Sequence, residues 1–226
     1  MKRSIRRIHV PLLAPEAIKP HLVSPKQYAP GRSTALVTQS WFSANGLPPR
    51  LRAILEQAPE WSGVQMLDAW LERQVDLEDG MASPSRCDAL AICSLREELG
   101  VLTVEAKLHE SFDWTINARL ARGLSVGETT RTRRLLERLR LPPEGSGHLR
   151  YQLLHRVLCA VLEAKRYRAR HAAMLVQSFS AKASRFSEFH DLAVAMGYGT
   201  VNQDRISGPI VIEGVGLRIG WVSDPA

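Results

Sequence analysis

Two short apolar segments joined by a charged link constrain the fold of this chain more than any other feature. Residues 88–94 (DALAICS) are a run of strand length, and residues 101–107 (VLTVEAK) are a second run with β-branched side chains. The link between them, residues 95–100, is rich in charged side chains and ends in a glycine. Together the three segments predict an antiparallel β-hairpin.

A long amphipathic segment, residues 149–170, predicts the main helix. Its Leu154, Val157 and Leu158 recur at i, i+3 and i+4 and mark one buried stripe. Helical spacing also predicts shorter helices at residues 51–57, 64–74, 127–140 and 184–196. Residues 35–42 fit either a helical turn or a short strand.

Two later regions have the composition of strands. Residues 172–179 are an apolar run that predicts a strand returning to the sheet, and residues 209–213 and 215–222 alternate as in a final hairpin. This mixture predicts an α/β fold with a mixed central sheet flanked by helices. We expect residues 1–34, which are rich in proline and basic side chains, to form an irregular arm and residues 35–226 to form one domain.

The charge balance favours a phosphate-rich partner. The chain has 30 Lys+Arg against 23 Asp+Glu, a net charge of +7. Arginine suits bidentate phosphate contacts, although a GC-rich genome would also favour it over lysine. The candidate contacts to nucleic acid are Arg131, Arg134, Arg150, Arg156, Lys165 and Arg168. For each of them a solvated helix face is the alternative.

Trp41 and Trp114 could stack on bases or lie in the core or at its rim.

The cysteines and the N-terminus indicate the cellular compartment in which the protein is expected. Cys87, Cys93 and Cys159 form neither an even set nor a Cys-x-x-Cys pair, so neither a disulfide framework nor a structural zinc site is expected. This pattern favours a reducing compartment, and we expect a cytoplasmic protein. The basic N-terminus meets Pro11 rather than an apolar segment, which does not fit a secretory signal. The apolar stretches are too short for a membrane span, so no membrane partner is expected.

Three side chains of the predicted hairpin suit the hydrolysis of a phosphodiester. Glu105 and Lys107 are two residues apart in a strand and face the same way, and antiparallel pairing can bring Asp88 opposite them. Carboxylate oxygens bind Mg²⁺ or Mn²⁺, which needs only one or two of them in a protein. A lysine beside the metal can orient the attacking water and offset negative charge in the transition state.

These residues resemble the motif of a known nuclease superfamily. Asp88, a gap of sixteen residues and then Glu105-Ala106-Lys107 resemble the PD-(D/E)XK motif of restriction-endonuclease-like nucleases. The resemblance implies a restriction-endonuclease-like fold for the domain. It implies Asp88, Glu105 and the carbonyl of Ala106 as metal ligands, with Lys107 as the catalytic lysine.

The surrounding sequence extends the resemblance to an uncharacterised bacterial family within the superfamily. The similar stretches are residues 83–88, 104–112 and 150–156, and coverage is about residues 51–179. Cys87 stands where the proline that names the motif would be. The resemblance implies Glu110 as an additional acid near the site and Glu72 as an acid on the preceding predicted helix. Gln152 would point from the long helix toward the metal, with a solvated position as the alternative.

A second copy of the tripeptide provides an internal comparison. Glu163-Ala164-Lys165 lies inside the predicted long helix, where residues two apart diverge, so both charged side chains are expected to be solvated. Only the copy at the end of an apolar strand combines the tripeptide with an aspartate-bearing neighbour. The alternative for that copy is a set of strand-end charges that pair at the surface.

The sequence therefore predicts a Mg²⁺- or Mn²⁺-dependent nuclease that hydrolyses nucleic acid, with DNA favoured. In this hypothesis Asp88 and Glu105 bind the metal, Lys107 assists the attacking water, and Gln152 and Glu110 position the site. A homodimer is compatible with it because many double-strand cutters need two sites. The alternative is an inactive module of nuclease-like fold that binds nucleic acid or a protein, for example in a bacterial defence system.

Overall fold

The computed structural model describes His9, residues 11–81 and residues 83–225. Its strands are β1 (Gln65–Val75), β2 (Ser85–Leu95), β3 (Glu98–Lys107), β4 (His171–Ser178), β5 (Arg205–Ile212) and β6 (Val215–Ser223). Its α-helices are α1 (Ser33–Ala44), α2 (Pro49–Leu55), α3 (Ile116–Ala121), α4 (Val126–Arg138), α5 (Tyr151–Arg166) and α6 (Phe186–Ala195). Short 3₁₀ helices form at Pro15–His21, Pro25–Gln27 and Pro59–Trp61.

The strands form one six-stranded sheet in the order β1-β2-β3-β4-β6-β5. β1, β2 and β3 pair antiparallel, β4 lies parallel to both β3 and β6, and β5 pairs antiparallel with β6. The long connection from β3 to its parallel neighbour β4 contains α3, α4 and α5, because parallel strands require a crossover. The predicted α/β class with a mixed central sheet is confirmed.

Helices cover both sides of this sheet. On one side, called here the α5 face, a buried apolar cluster joins the strands to α4, α5 and α6. It contains the predicted stripe of α5, with Leu154, Val157 and Leu158. On the other side, called the α1 face, a second cluster joins the strands to α1 and α2 through side chains such as Trp41 and Leu51. The central strands are therefore buried from both sides.

In β1 and in β2 the regular alternation of side chains between the two faces of the sheet is interrupted, and the two interruptions lie opposite each other. The paired residues Leu71 and Ala89 pack on the α1 face. Cys87, two residues before Ala89, packs on the α5 face, and its partner in β1 reaches α5. Residues two apart in an unbroken strand share a face. The alternation of both strands is therefore interrupted at one level, where Glu72 and Asp88 lie.

Most of the predicted elements are confirmed, with shifts of a few residues at their ends. The predicted hairpin is β2 and β3, and the final hairpin is β5 and β6. The segments 51–57, 127–140, 149–170, 172–179 and 184–196 are α2, α4, α5, β4 and α6. Residues 35–42 take the helical alternative within α1.

The helix predicted for residues 64–74 is wrong, because this segment is strand β1. Leu67, Trp70 and Leu71 have helical spacing, but they lie on a strand that contains a register irregularity between Met66 and Asp68. That irregularity and the change of facing described above break the period of two. The spacing of the apolar residues in this strand therefore resembles the spacing expected of a helix.

The first part of the N-terminal arm that we expected, residues 1–8 and 10, lies outside the described residues. The described residues from 11 onward contain two of the 3₁₀ helices, and Ile18 and Leu22 are buried there. Among the described residues, no helix combines the length and the apolar character needed to cross a membrane.

Candidate active site

The end of β3 brings the predicted acid and lysine together on the α5 face. Glu105 is 1% exposed and Lys107 is 5% exposed, so both side chains are buried. The Nζ of Lys107 donates to Oε1 of Glu105 at 2.6 Å and to Oε1 of Gln152 at 3.2 Å. Gln152 lies in the first turn of α5, where the sequence placed it toward the site. These three predicted residues therefore meet.

Asp88 joins this group where β2 separates from β3. The backbone pairing of the two strands ends at Ala89 and Val104, and beyond it Oδ2 of Asp88 accepts a hydrogen bond from the Ala106 amide at 2.6 Å. Burial raises the pKa of Asp88 to about 8, and the charges of Glu105 and Glu72 act in the same direction. The surroundings of Asp88 therefore favour the uncharged, protonated form of its carboxyl group.

Glu72 lies in β1 and not on a helix, so its predicted location is wrong. Its neighbours in β1 pair with the neighbours of Asp88, which places the two acids across from each other. Glu72 has a φ of 54°, which is unusual for a residue other than glycine. Its Oε2 lies 3.6 Å from a guanidinium nitrogen of Arg86. Burial raises the pKa of Glu72, and Glu105 adds to this effect.

Arg156 is a site residue that the sequence assigned to a different role. It was a candidate contact to nucleic acid, but its side chain is buried beside Glu105. Its Nε donates to Oε2 of Glu105, and its Nη1 donates to the hydroxyl of Ser85 at 2.9 Å. Burial alone would raise the pKa of Glu105, but Arg156 and Lys107 outweigh this effect and hold that pKa below its usual value. Arg156 follows Gln152 by one helical turn, a spacing that could have indicated a shared side of α5.

Glu110 has a different position from the other predicted acids. Its carboxylate accepts hydrogen bonds from the backbone and hydroxyl of Ser33 and from the amides of Leu108 and His109. Burial opposes ionisation, yet these hydrogen bonds lower the pKa of Glu110 to about 2. The residue therefore ties the segment after β3 to the start of α1.

The predicted nucleic-acid contacts differ in their exposure and in their partners. Arg131 is buried and donates to Asp79 and Ser83, and Arg150 pairs with Glu188 at 2.7 Å. Arg134, Lys165 and Arg168 are exposed. Lys165 lies in the last turn of α5, roughly 20 Å along the helix axis from Gln152, and Arg168 follows the end of the helix.

The charged side chains of the second Glu-Ala-Lys tripeptide form ion pairs with other parts of the chain. Glu163 was expected to be solvated, but it is 3% exposed and pairs with Arg73 and Arg166 at 3.3 Å. Lys165 is exposed, as expected, and it pairs with Glu213. Each residue of this copy faces a different group, so it forms no convergent site.

Ser178 is a candidate that the sequence did not single out. It lies at the end of β4, in register with Lys107 of the parallel strand β3. Its buried hydroxyl oxygen has no hydrogen-bond partner among the described residues. The strand was predictable, but the register that brings Ser178 beside Lys107 depends on a parallel pairing between segments far apart in sequence.

Two carboxyl groups, those of Asp88 and Glu105, are the candidate ligands for a divalent ion at this site. In the part of the chain that the structure describes, no group of three or more His, Cys, Asp or Glu side chains is arranged to hold a metal. Mg²⁺ needs fewer, because one or two carboxylates suffice when water and substrate complete its shell. Burial is the main cause of the raised pKa of Asp88, and the nearby charges of Glu105 and Glu72 add to it. A cation held by Asp88 and Glu105 would offset these negative charges.

Fold and site together define a mixed α/β protein whose central hairpin carries two acids and a lysine at one end. The chain belongs to the family described as a domain of unknown function, DUF6946, whose family model matches residues 11–226. No curated protein and no solved structure matches the chain.

Proposed function

We propose that this protein is a Mg²⁺- or Mn²⁺-dependent phosphodiesterase of the PD-(D/E)XK, restriction-endonuclease-like type, acting on nucleic acid with DNA favoured. The observation that best supports the proposal is the meeting of Asp88, Glu105 and Lys107 where β2 and β3 separate. Two acids to hold a metal ion and one amine to offset charge on the phosphate are groups that suit metal-assisted phosphodiester hydrolysis.

Each side chain has a role in this proposal. Asp88, Glu105 and the Ala106 carbonyl would hold the ion, and the chemistry that a bound Mg²⁺ supplies is polarisation of the phosphate and acidification of water. Lys107 offsets the negative charge that develops on the phosphate, and Gln152 holds its ammonium group in place. Arg156 fixes the Glu105 carboxylate from the opposite side.

The exposure of the site indicates where a substrate approaches. Glu105 and Lys107 are buried, whereas Asp88 and Gln152 retain partial exposure. A phosphate would therefore arrive on the side of Asp88 and the start of α5. The net charge of +7 supports a polyanionic substrate through long-range attraction.

One observation supports the alternative of an inactive binding module. Both carboxylate oxygens of Glu105 already accept hydrogen bonds from cationic side chains, Lys107 on one side and Arg156 on the other. The Glu105 charge is thus compensated by the protein itself. A module of nuclease-like fold that has lost catalytic turnover, and that binds nucleic acid or a protein, would retain such a cluster.

The deciding experiment compares the two tripeptide copies. Cleavage of supercoiled plasmid and labelled oligonucleotides is measured with Mg²⁺, with Mn²⁺ and with EDTA for wild type, Lys107→Ala, Asp88→Asn and Lys165→Ala. We expect Lys107→Ala and Asp88→Asn to reduce the rate by about 10²–10³-fold, the effect of removing one electrostatic stabiliser. Lys165→Ala is the matched control, since it removes the same side chain from the same tripeptide on the surface of α5.

Equal rates in all four proteins would reject the assigned site. Oligonucleotide binding without cleavage by the wild type in either metal would reject the hydrolase and favour the binding module. Circular dichroism spectra of the variants, if unchanged, ensure that a lost rate reports chemistry and not unfolding.

A further inference from the structure

An exposed tryptophan lies beside the candidate site. The backbone carbonyl of Trp114 accepts a hydrogen bond from the amide of Tyr151 at 3.1 Å. The next residue of α5 is Gln152, whose amide oxygen holds the ammonium group of Lys107. The segment after β3 therefore brings the backbone of Trp114 to the start of α5, next to Gln152.

The indole ring of Trp114 is paired with a cation and still open to solvent. The guanidinium carbon of Arg122 lies 4.7 Å from the ring centroid, within cation–π distance. The side chain of Trp114 is nevertheless 49% exposed. An aromatic ring of this size that packs into no core offers a flat surface for another planar group.

Arg122 has charge to offer a ligand. The neighbouring Arg119 lies 3.5 Å from Asp113 and 3.6 Å from Glu128, so it serves both nearby acids. Arg122 makes no ion pair with any residue that the structure describes. It also lines a cleft of about 130 Å³ together with Arg119, Gly123, Leu124 and Glu128. The indole of Trp114 thus lies beside a guanidinium that makes no salt bridge to the described residues but also acts on the nearby carboxylate of Glu128.

We propose that Trp114 and Arg122 form a binding site for one unpaired nucleotide of the substrate, with the base stacked on the indole and its phosphate held by the guanidinium. This inference rests on the proposed function and names its substrate class, which is single-stranded nucleic acid or a strand with an unpaired segment. Bases inside a duplex have both faces covered by their neighbours, so an unpaired base stacks on a side chain without the cost of unstacking a duplex.

The test measures binding in EDTA, where cleavage plays no part. Full-length wild type, Trp114→Ala, Trp114→Phe and Phe42→Ala are titrated against a fluorescent oligothymidylate and a blunt duplex of the same length. Removal of a stacking ring weakens binding of a base by roughly tenfold or more. We expect this loss for Trp114→Ala on the single strand, and recovery of most affinity in Trp114→Phe. Phe42→Ala removes an aromatic ring that is 42% exposed on α1, across the sheet from α5, and should bind as wild type does.

Several results would overturn this inference. They are equal affinity of wild type and Trp114→Ala for the single strand, an equal loss in Phe42→Ala, and a wild type that binds no oligonucleotide, which would point to a protein partner for this surface. The two proposals fail separately. Trp114-dependent binding without cleavage in Mg²⁺ or Mn²⁺ rejects only the hydrolase, whereas cleavage with Trp114-independent binding rejects only the stacking site.

Discussion

Replacement of Arg156 by methionine tests how the candidate site is held together. The methionine keeps much of the aliphatic volume and removes the charge. Glu105 then loses the partner of its Oε2 atom, and Ser85 loses a donor at 2.9 Å. Lys107 still pairs with Oε1, so the carboxylate becomes half satisfied in a buried position.

The burial of the pair sets the magnitude of the effect. Arg156 is 7% exposed and Glu105 is 1% exposed, so little water can replace the lost guanidinium. Breaking a buried ion pair from one side costs about 3–5 kcal/mol. For a domain of this length, that corresponds to a fall of about 6–20 °C in Tm. The matched control is Arg166→Met on the same helix, where the side chain is 32% exposed and the expected cost is at most about 1 kcal/mol.

Urea denaturation in EDTA measures the loss of unfolding free energy caused by Arg156→Met. A second denaturation in saturating Mg²⁺ tests whether the freed Glu105 oxygen is the cause. In the Arg156→Met protein the freed oxygen of Glu105 becomes available to a cation, and a ligand that binds only the folded state stabilises it. We therefore expect Mg²⁺ to raise the free energy of unfolding more in this variant than in wild type. A loss below about 1 kcal/mol in EDTA would refute the structural role of Arg156. Equal effects of Mg²⁺ on the two proteins would refute the view that Arg156 and the cation share Glu105.

Two further predictions concern regions outside the site. Arg138 holds the pKa of Glu213 at about 2, so this carboxylate stabilises the fold above its ordinary pKa of 4.5, and the stabilisation is lost as the pH falls from there toward 2. Urea midpoints measured across this range should fall more steeply in wild type than in Glu213→Gln, and parallel curves would contradict the assignment. Gly100→Ala should cost about 1–3 kcal/mol in urea denaturation, because the added methyl group would lie 2.7 Å from Leu95 and 2.9 Å from Trp61. Wild-type stability of this variant would show that the packing around Gly100 is loose.

The hairpin and the main helix were predictable because their patterns depend on near neighbours. The apolar runs of β2 and β3 are short and separated by a charged link, and α5 keeps its apolar stripe over several turns. The meeting of Glu105 and Lys107 followed from strand geometry, whereas Asp88 reaches the Ala106 amide where the regular alternation of β2 is interrupted. Gln152 required the further condition that α5 crosses the end of β3, which the sequence only suggested through the resemblance.

The remaining features depend on partners that are distant in sequence. Arg156 and Arg131 cannot be distinguished from solvated arginines by composition, because their burial comes from Glu105 and Asp79 on other elements. Ser178 gains its position from a parallel register that no local pattern specifies. The prediction for β1 failed for a different reason, since its own alternation is irregular.

The simultaneous change of facing in β1 and β2 has a consequence for insertions and deletions in this sheet. Loss of Glu72 or Asp88 alone would restore the alternation of its own strand but leave one unmatched residue in the partner strand. A matched loss from both strands would restore two regular ladders and keep their pairing. It would also remove the two acids, so a simpler sheet is available to this chain only without its candidate chemistry.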